Sequence, residues 1–363
     1  MEQLKAFLKR KNIVISAKRY GIDALGAMAQ GLFCSLLIGT IINTLGEQLG
    51  IPFLVDVGSY ASAMSGAAMA VAIGYALQAP PLVLFSLVTV GYAANALGST
   101  SLIPDQAGAG GPLAVLFIAV IAAEFGKAVS KETKIDILVT PLVTILVGVG
   151  LSAWWAPAIG TAATAVGNII MWATDLQPFL MGIVVSVVIG VALTLPISSA
   201  AICAAFGLTG LAGGAAVAGC CANMVGFAVL SFRENRWGGL VSHGLGTSML
   251  QMPNIVRDPR IWLPAILTSA VTGPLATCVF HLEMNDPAGG VASGMGTCGL
   301  VGQIGVYSGW VADVASGAKA AITPFDWAWL LLISFLLPGA LCWLFGLFFR
   351  RIGWIREGAL KLE

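Results

Sequence analysis

The stretch "SHGLGTSMLQMPN", residues 242–254, is polar and rich in turn-forming residues, yet it lies among hydrophobic segments. It carries a histidine, two glycines, three hydroxyl side chains, a glutamine, a proline and an asparagine. Glycine and proline interrupt a regular helix, and polar side chains need partners wherever water is excluded. The stretch therefore predicts an irregular, polar turn inside an otherwise apolar protein.

The rest of the chain has the composition of an integral membrane protein. Of its 363 residues, 58% are hydrophobic and only 10% are charged, and 45 are glycine. A helix needs roughly 20 apolar residues to cross the ~30 Å hydrocarbon layer, and several segments here have that length. The alternating pattern of an outer-membrane barrel does not occur. We therefore predict an all-α membrane protein with about ten transmembrane helices, near 23–45, 55–78, 80–97, 111–126, 136–155, 178–196, 199–213, 215–232, 261–282 and 326–349.

The basic residues predict the orientation of these helices. Of 18 Lys and Arg residues, six lie in the leader 1–19, and all others except Lys319 fall in three further clusters, at 127–134, 233–260 and 350–361. An even number of spans with both termini inside places every cluster in the cytoplasm, as the positive-inside rule expects. We expect a multi-pass protein of the bacterial inner membrane, with an outer loop at 99–112 that carries Asp105.

The opening stretch has a second copy further along the chain. Residues 244–250 read GLGTSML and residues 294–300 read GMGTCGL, so the pattern G-x-G-T-[S/C]-x-L occurs twice, fifty residues apart. Both copies lie in apolar, glycine-dense stretches, on opposite sides of the predicted span 261–282. Two broken segments that enter the bilayer from opposite faces are typical of transporters with re-entrant hairpins. We predict such hairpins near 238–256 and 288–310; chance similarity, and glycines that serve only close helix packing, are the alternatives.

The polar side chains of these hairpins are candidate ligands for a small polar solute, because neutral donors and acceptors cost less to desolvate than charges do. The candidates are His243, Thr247, Ser248, Gln251, Asn254, Asn223, Glu283, Asn285, Ser293, Thr297 and Gln303. Some of them have a structural alternative. The alternative for His243 is a hydrogen bond to neighbouring backbone, and for Asn223 it is a link between two helices. Asp286, which follows Glu283 and Asn285 but is not a candidate, is expected to belong to an ordinary turn.

Several functions are excluded or disfavoured. The sequence has no Walker loop and no dinucleotide fingerprint, so an ATPase is not supported. Two histidines and seven cysteines, in no metal-ligand spacing, do not predict a metal site. We expect no cofactor, no nucleic-acid partner and no catalytic residues in this chain.

Two runs resemble the membrane-embedded IIC subunits of the sugar phosphotransferase system. One is 137–196, which begins ILVTPLVTIL, and the other is 246–259, GTSMLQMPNIVRDP, which resembles the substrate hairpin of that family. The resemblance is greatest to a divergent branch that includes perfringolysin-regulator-like membrane proteins. It implies a homodimer and an elevator-type movement, with a scaffold at 20–175, a transport part at 178–325, and a last helix and basic tail at 326–363.

The chain also departs from that family. Where sugar-transporting members carry a hairpin glutamate, this chain has Thr247, and Ser248 replaces the proline after it. No IIA-like or IIB-like domain is recognisable in the sequence. We therefore predict an inner-membrane transporter of a small, sugar-like solute that works by alternating access without the usual phosphorylation. The alternatives are a membrane sensor that has lost transport, or a true permease that uses separate cytoplasmic IIA and IIB proteins.

Overall fold

The computed structural model describes residues 2–96, 110–174, 176–285 and 290–362. In these ranges the regular structure is helical, and the β-type pairing they show is a single bridge between Gly210 and Met284. The predicted all-α class is therefore confirmed. Most of the predicted outer loop 99–112, with Asp105, lies outside the described residues, and so does Asp286.

The helices follow one another with short connections. The helical segments begin and end at Glu2–Arg10, Arg19–Glu47, Pro52–Ala63, Ser65–Ala76, Pro81–Ala96, Gly111–Val129, Asp136–Thr174, Pro178–Thr194, Ser199–Ala205, Gly210–Leu230, Phe232–Val241, Met252–Arg257, Pro259–Val279, Val301–Ser316 and Pro324–Arg351. Proline stands in the first turn of several of them, where its missing N–H is not needed.

Fewer helices have the length of a membrane span than the sequence pattern predicted. Among the described residues, six helices are long and apolar enough to cross a bilayer, and the pair 52–63 and 65–76, bent by 47°, would make a seventh. Pro81–Asn95 and Pro178–Thr194 are apolar but shorter. The predicted span 136–155 continues as one helix of 39 residues to Thr174. Hydropathy alone therefore located apolar segments better than it located helix ends.

The predicted span 199–213 is wrong. Residues Ser199–Ala205 form a short helix, and a new helix begins at Gly210 after a turn in which Gly207 and Gly210 have φ of 57° and 60°. Residues that carry a side chain rarely adopt that left-handed backbone conformation, whereas glycine does so at little cost. The two glycines therefore end one helix and start the next inside a stretch whose hydropathy is continuous.

The chain forms two compact units, residues 1–162 and 163–363. The first unit contains a buried lysine at the end of the helix Gly111–Val129. Lys127 is 2% exposed; its ammonium pairs with Glu124 at 2.9 Å and donates to the carbonyls of Asn12 and Leu77. An ammonium has three donors, and these three acceptors satisfy them.

The second unit is built around the helix Gly210–Leu230, hereafter the central helix. Its sequence, GLAGGAAVAGCCANMVGFAVL, consists mainly of small residues, and nearly all of them are buried. Small side chains let neighbouring helices come close. At Gly219 an added Cβ would overlap the backbone of Ser186 on the helix Pro178–Thr194. The helices Leu263–Pro274 and Leu337–Arg351 pack against the central helix as well.

Candidate functional site

The first broken segment, residues 238–257, is helical on both sides of an irregular turn. A helix ends at Val241, a wide turn covers Ser242–Gly246, and Thr247 is extended, with φ −156° and ψ 145°. The Thr247 hydroxyl accepts the N–H of Met249 at 3.1 Å and so caps the tight turn that follows. The helix Met252–Arg257 then carries Pro253 in its first turn. The sequence GLGTS therefore breaks the helix, and the Thr247 hydroxyl accepts one of the backbone N–H groups that the break leaves without a helical partner.

The end of this segment is fixed by an acidic cap. Asp258 accepts the backbone N–H of Arg260 at 3.2 Å, and the Arg260 guanidinium contacts both carboxylate oxygens at 2.8 and 2.9 Å. The hydrogen bonds from Arg260 hold the pKa of the Asp258 carboxyl below its usual range. The backbone N–H bond to Asp258 caps the first turn of the following helix.

The second broken segment, residues 290–303, is more irregular than the first. It contains two short turns, Ala292–Gly294 and Cys298–Leu300, before the helix Val301–Ser316 begins. Gly296 and Gly299 have φ of 54° and 52°. The N–H of Gly302 donates to the carbonyl of Gly296 at 3.0 Å, which closes the turn. Gly296 and Gly299 of the second motif copy are therefore required by the backbone.

The two copies of the motif contact each other. Residues 242–246 of the first segment lie against residues 298–300 of the second, and both segments pack on the central helix. The Thr297 hydroxyl lies 3.6 Å from the sulfur of Met224, and an added Cβ at Gly296 would meet Cys220. Segments that are fifty residues apart in sequence therefore meet at one region of the central helix.

A buried polar cluster connects the first segment with three helices. The hydroxyls of Ser248 and Thr194 are 2.7 Å apart, and Thr194 also donates to the Asn223 side-chain oxygen at 3.3 Å. That oxygen accepts the indole N–H of Trp262 at 3.0 Å as well, while the Asn223 amide donates to Ser269 and Gly219, each at 3.1 Å. Asn223 is fully buried, and all of its hydrogen-bonding capacity is used.

A second chain of hydrogen bonds starts at His243. Nδ1 of His243 contacts the carbonyl of Gly239 at 2.7 Å, so Nδ1 carries the proton and Nε2 is the acceptor. The Gln251 amide donates to that Nε2 at 3.1 Å, and Gln251 Oε1 accepts from the Asn254 amide at 2.9 Å. The imidazole is completely buried. His243, Gln251 and Asn254 therefore form one neutral chain of donors and acceptors.

The candidates of the second segment have separate partners. The Ser293 hydroxyl donates to the carbonyl of Gly290 at 2.6 Å. The Gln303 amide donates to Ser334 at 3.0 Å and lies 3.4 Å from the Cys221 sulfur. Gln303 Oε1 is buried and has no hydrogen-bond partner among the described residues. A buried acceptor without a partner is costly, and it marks a place where a further donor would fit.

Glu283 and Asn285 lie apart from this region. They line a cavity of about 270 Å³ together with Asp313, Lys319 and Asp326, and the Asn285 amide donates to Asp313 at 2.9 Å. Their neighbour Met284 pairs with Gly210, which begins the central helix, whereas Asn223 lies thirteen residues further along it. At 1.5 Å per residue that separation is roughly 20 Å. Two of the eleven predicted residues therefore belong to a different polar surface.

The comparison with protein families agrees with this architecture. The family model described as "Phosphotransferase system, EIIC" matches residues 22–362, which is nearly the whole chain. The chain belongs to the phosphotransferase EIIC family. The EIIC family consists of membrane components of sugar transport, so a multi-pass membrane protein with a sugar substrate and IIA and IIB partners is the general assignment. Neither the curated proteins nor the solved structures gave a match to this chain.

Three residues of this buried region were not predicted from the sequence. Thr194, Trp262 and Ser269 complete the buried cluster around Asn223 and Ser248. Thr194 ends one helix and Trp262 lies in the first turn of another. A hydrogen-bonding group at the end of an apolar segment was the available signal, but nothing in the sequence identified its partner.

Proposed function

We propose that this EIIC protein moves a sugar-like solute across the bacterial inner membrane by alternating exposure of one polar site. The site lies where the two broken segments meet on the central helix. The observation that carries the proposal is the contact between residues 242–246 and 298–300, the two copies of the G-x-G-T motif. Irregular backbone at membrane depth is tolerated where it is enclosed by protein or lines a solute path.

The chemistry of this region suits a solute with many hydroxyl groups. Ser248, Asn223 and Gln303 are neutral, and Ser248 and Asn223 are fully buried. A sugar hydroxyl both donates and accepts, so it can replace the Ser248 to Thr194 bond and supply the donor that Gln303 Oε1 lacks. Thr247, Ser293, Thr297, His243, Gln251 and Asn254 complete the proposed set. Neutral groups can exchange partners at low desolvation cost, which transport requires.

Phosphorylation of the solute is not part of the proposal. Thr247 occupies the position of the hairpin glutamate in sugar-phosphorylating members, and its hydroxyl caps the turn at Met249. A capping hydroxyl carries no charge with which to orient a sugar for phosphoryl transfer. We propose that residues 178–325, which carry both segments, move as the transport part of a homodimer, and that both termini face the cytoplasm.

Reconstituted protein tests the proposal directly. Proteoliposomes would be offered a panel of radiolabelled hexoses, pentoses and hexitols, and counterflow would be measured with and without a phosphoenolpyruvate-driven donor chain. We expect counterflow of at least one sugar without the donor chain, and Ser248→Ala should raise the sugar concentration needed for half-maximal counterflow roughly fivefold, through the loss of one hydrogen bond. Binding without counterflow would identify a sensor instead, and counterflow only with the donor chain would identify a phosphorylating permease.

A further inference from the structure

The C-terminal tail, residues 352–362, folds back on the second unit. The last helix ends at Arg351, and Gly353 and Gly358 have φ of 76° and 80°, so each turns the chain sharply. The N–H groups of Trp354 and Ile355 both donate to the carbonyl of Phe349, and the Trp354 ring stacks on Phe349 at 5.4 Å. The glycines therefore direct the tail back along the protein.

The tail is held by three amide side chains of the region around the first broken segment. Asn235 donates to the carbonyl of Leu360 at 2.8 Å and accepts the N–H of Leu362 at 2.9 Å. Gln251 donates to the same Leu360 carbonyl at 2.9 Å, and Asn254 donates to the carbonyl of Lys361 at 3.0 Å. We call Asn235, Gln251 and Asn254 the amide clamp.

The contact between the tail and the rest of the second unit is also apolar and specific. Leu360 is fully buried and Ile355 is 3% exposed, although both lie close to the end of the chain. Backbone hydrogen bonds would accept any extended peptide, so the side chain of Leu360 is what selects this segment. Terminal residues are usually poorly ordered unless such contacts hold them.

The clamp uses the donors that the proposed solute would need. Gln251 has two amide hydrogens; one is bonded to His243 and the other to Leu360. Asn254 likewise divides its two hydrogens between Gln251 and Lys361. Peptide carbonyls and sugar hydroxyl oxygens are both neutral acceptors, so these amides can bind one or the other but not both at once.

We infer that the C-terminal tail is an internal competitor of the solute, and that its release frees the amides of the first broken segment. The competition rests on the proposed function, whereas the clamp itself does not. A tethered segment acts at an effective concentration of about 1 mM or more. The tail therefore lowers the apparent affinity for solute by the fraction of time it is bound.

Hydrogen exchange tests the clamp without any solute. A variant lacking residues 354–363 should exchange the backbone amides of 238–257 about tenfold faster than the full chain, because local opening becomes easier. The peptide IGWIREGALKLE, residues 352–363, added at millimolar concentration, should restore slow exchange. The same peptide with Leu360→Asp serves as the control and should restore nothing. Equal exchange with and without the tail would overturn the inference.

Two substitutions in the full chain keep the test independent of truncation. Asn235→Ala removes a clamp residue that is not among the proposed solute ligands, and Leu360→Asp removes the buried anchor. For the sugar of the panel that binds best, both should tighten apparent affinity about threefold or more. Asn43→Ala, in the other compact unit, is the matched control and should leave it unchanged.

The outcomes separate the two proposals. Faster exchange with unchanged sugar affinity would overturn the competition. Binding of no sugar by either the full or the shortened chain would contradict the proposed function, and the exchange and peptide measurements would then decide alone whether the tail holds the first broken segment.

Discussion

Thr194 and Ser248 share a hydrogen bond of 2.7 Å although they are 54 residues apart and belong to different segments. Thr194 ends the helix Pro178–Thr194, and Ser248 follows the break in the first segment. Both hydroxyls are buried. This one contact therefore attaches the irregular segment to the regular helices that surround it.

The first prediction concerns the strength of that attachment. A double-mutant cycle with Thr194→Val and Ser248→Ala should give a coupling free energy of about 1 kcal/mol, since a buried hydrogen bond contributes about that much. Unfolding in detergent measures it. Thr144→Val is the control for the loss of a buried hydroxyl as such, because the Thr144 hydroxyl donates to the Thr140 carbonyl within its own helix and not to another segment. Additive effects of Thr194→Val and Ser248→Ala would contradict the contact.

The second prediction concerns Asn223. Asn223→Ala removes the partner of Trp262 and Ser269 together, leaving buried polar groups unpaired. We expect a loss of about 2 kcal/mol or more in the free energy of unfolding. Asn43→Ala is the matched change: Asn43 is only half-buried and bonds to Glu47 on its own helix, so its loss should cost about 0.5 kcal/mol or less. Similar costs for the two variants would show that Asn223 is not central to the cluster.

The third prediction compares two glycines in helices. Gly219→Ala would place a methyl group against the backbone of Ser186, so one of the two helices would have to shift to make room for it. We expect a cost of about 1–3 kcal/mol, as for other overpacked sites. Gly150→Ala meets no atom within 4 Å and should instead stabilise by about 0.5 to 1 kcal/mol, because alanine loses less entropy in a helix. Thermal unfolding of both variants gives the sign of each effect directly.

The sequence predicted where the polar irregularities lie better than it predicted what satisfies them. The repeated G-x-G-T pattern marked both segments as breaks: Thr247 is extended in the first copy, and Gly296 and Gly299 have positive φ in the second. Hydropathy failed at 199–213, where Gly207 and Gly210 divide an apolar stretch by their left-handed φ. Local pattern reading cannot detect partners distant in sequence, such as Thr194 for Ser248 or the tail for Gln251.

The same limit applies to Glu283 and Asn285, which their place in the sequence groups with the motif residues. They precede the second copy in sequence, and nothing local shows that the chain places them near the start of the central helix. The pairing of Gly210 with Met284 decides their position, and it connects residues that are 74 apart. Proximity in sequence is therefore a poor guide to proximity in space.

The last prediction decides which of the two polar regions holds the solute. If the solute binds where the broken segments meet, Ser248→Ala should weaken its binding by about 1 kcal/mol, or roughly fivefold, through the loss of one hydrogen bond. Glu283→Gln should have little effect, because Glu283 is exposed and faces the separate cavity with Asp313 and Lys319. Equilibrium binding of the sugar selected from the panel measures both, and thermal unfolding of each variant confirms that the fold is retained. The reverse pattern, with Glu283→Gln weakening binding and Ser248→Ala leaving it unchanged, would move the solute site to that cavity and remove the role proposed for the paired motifs.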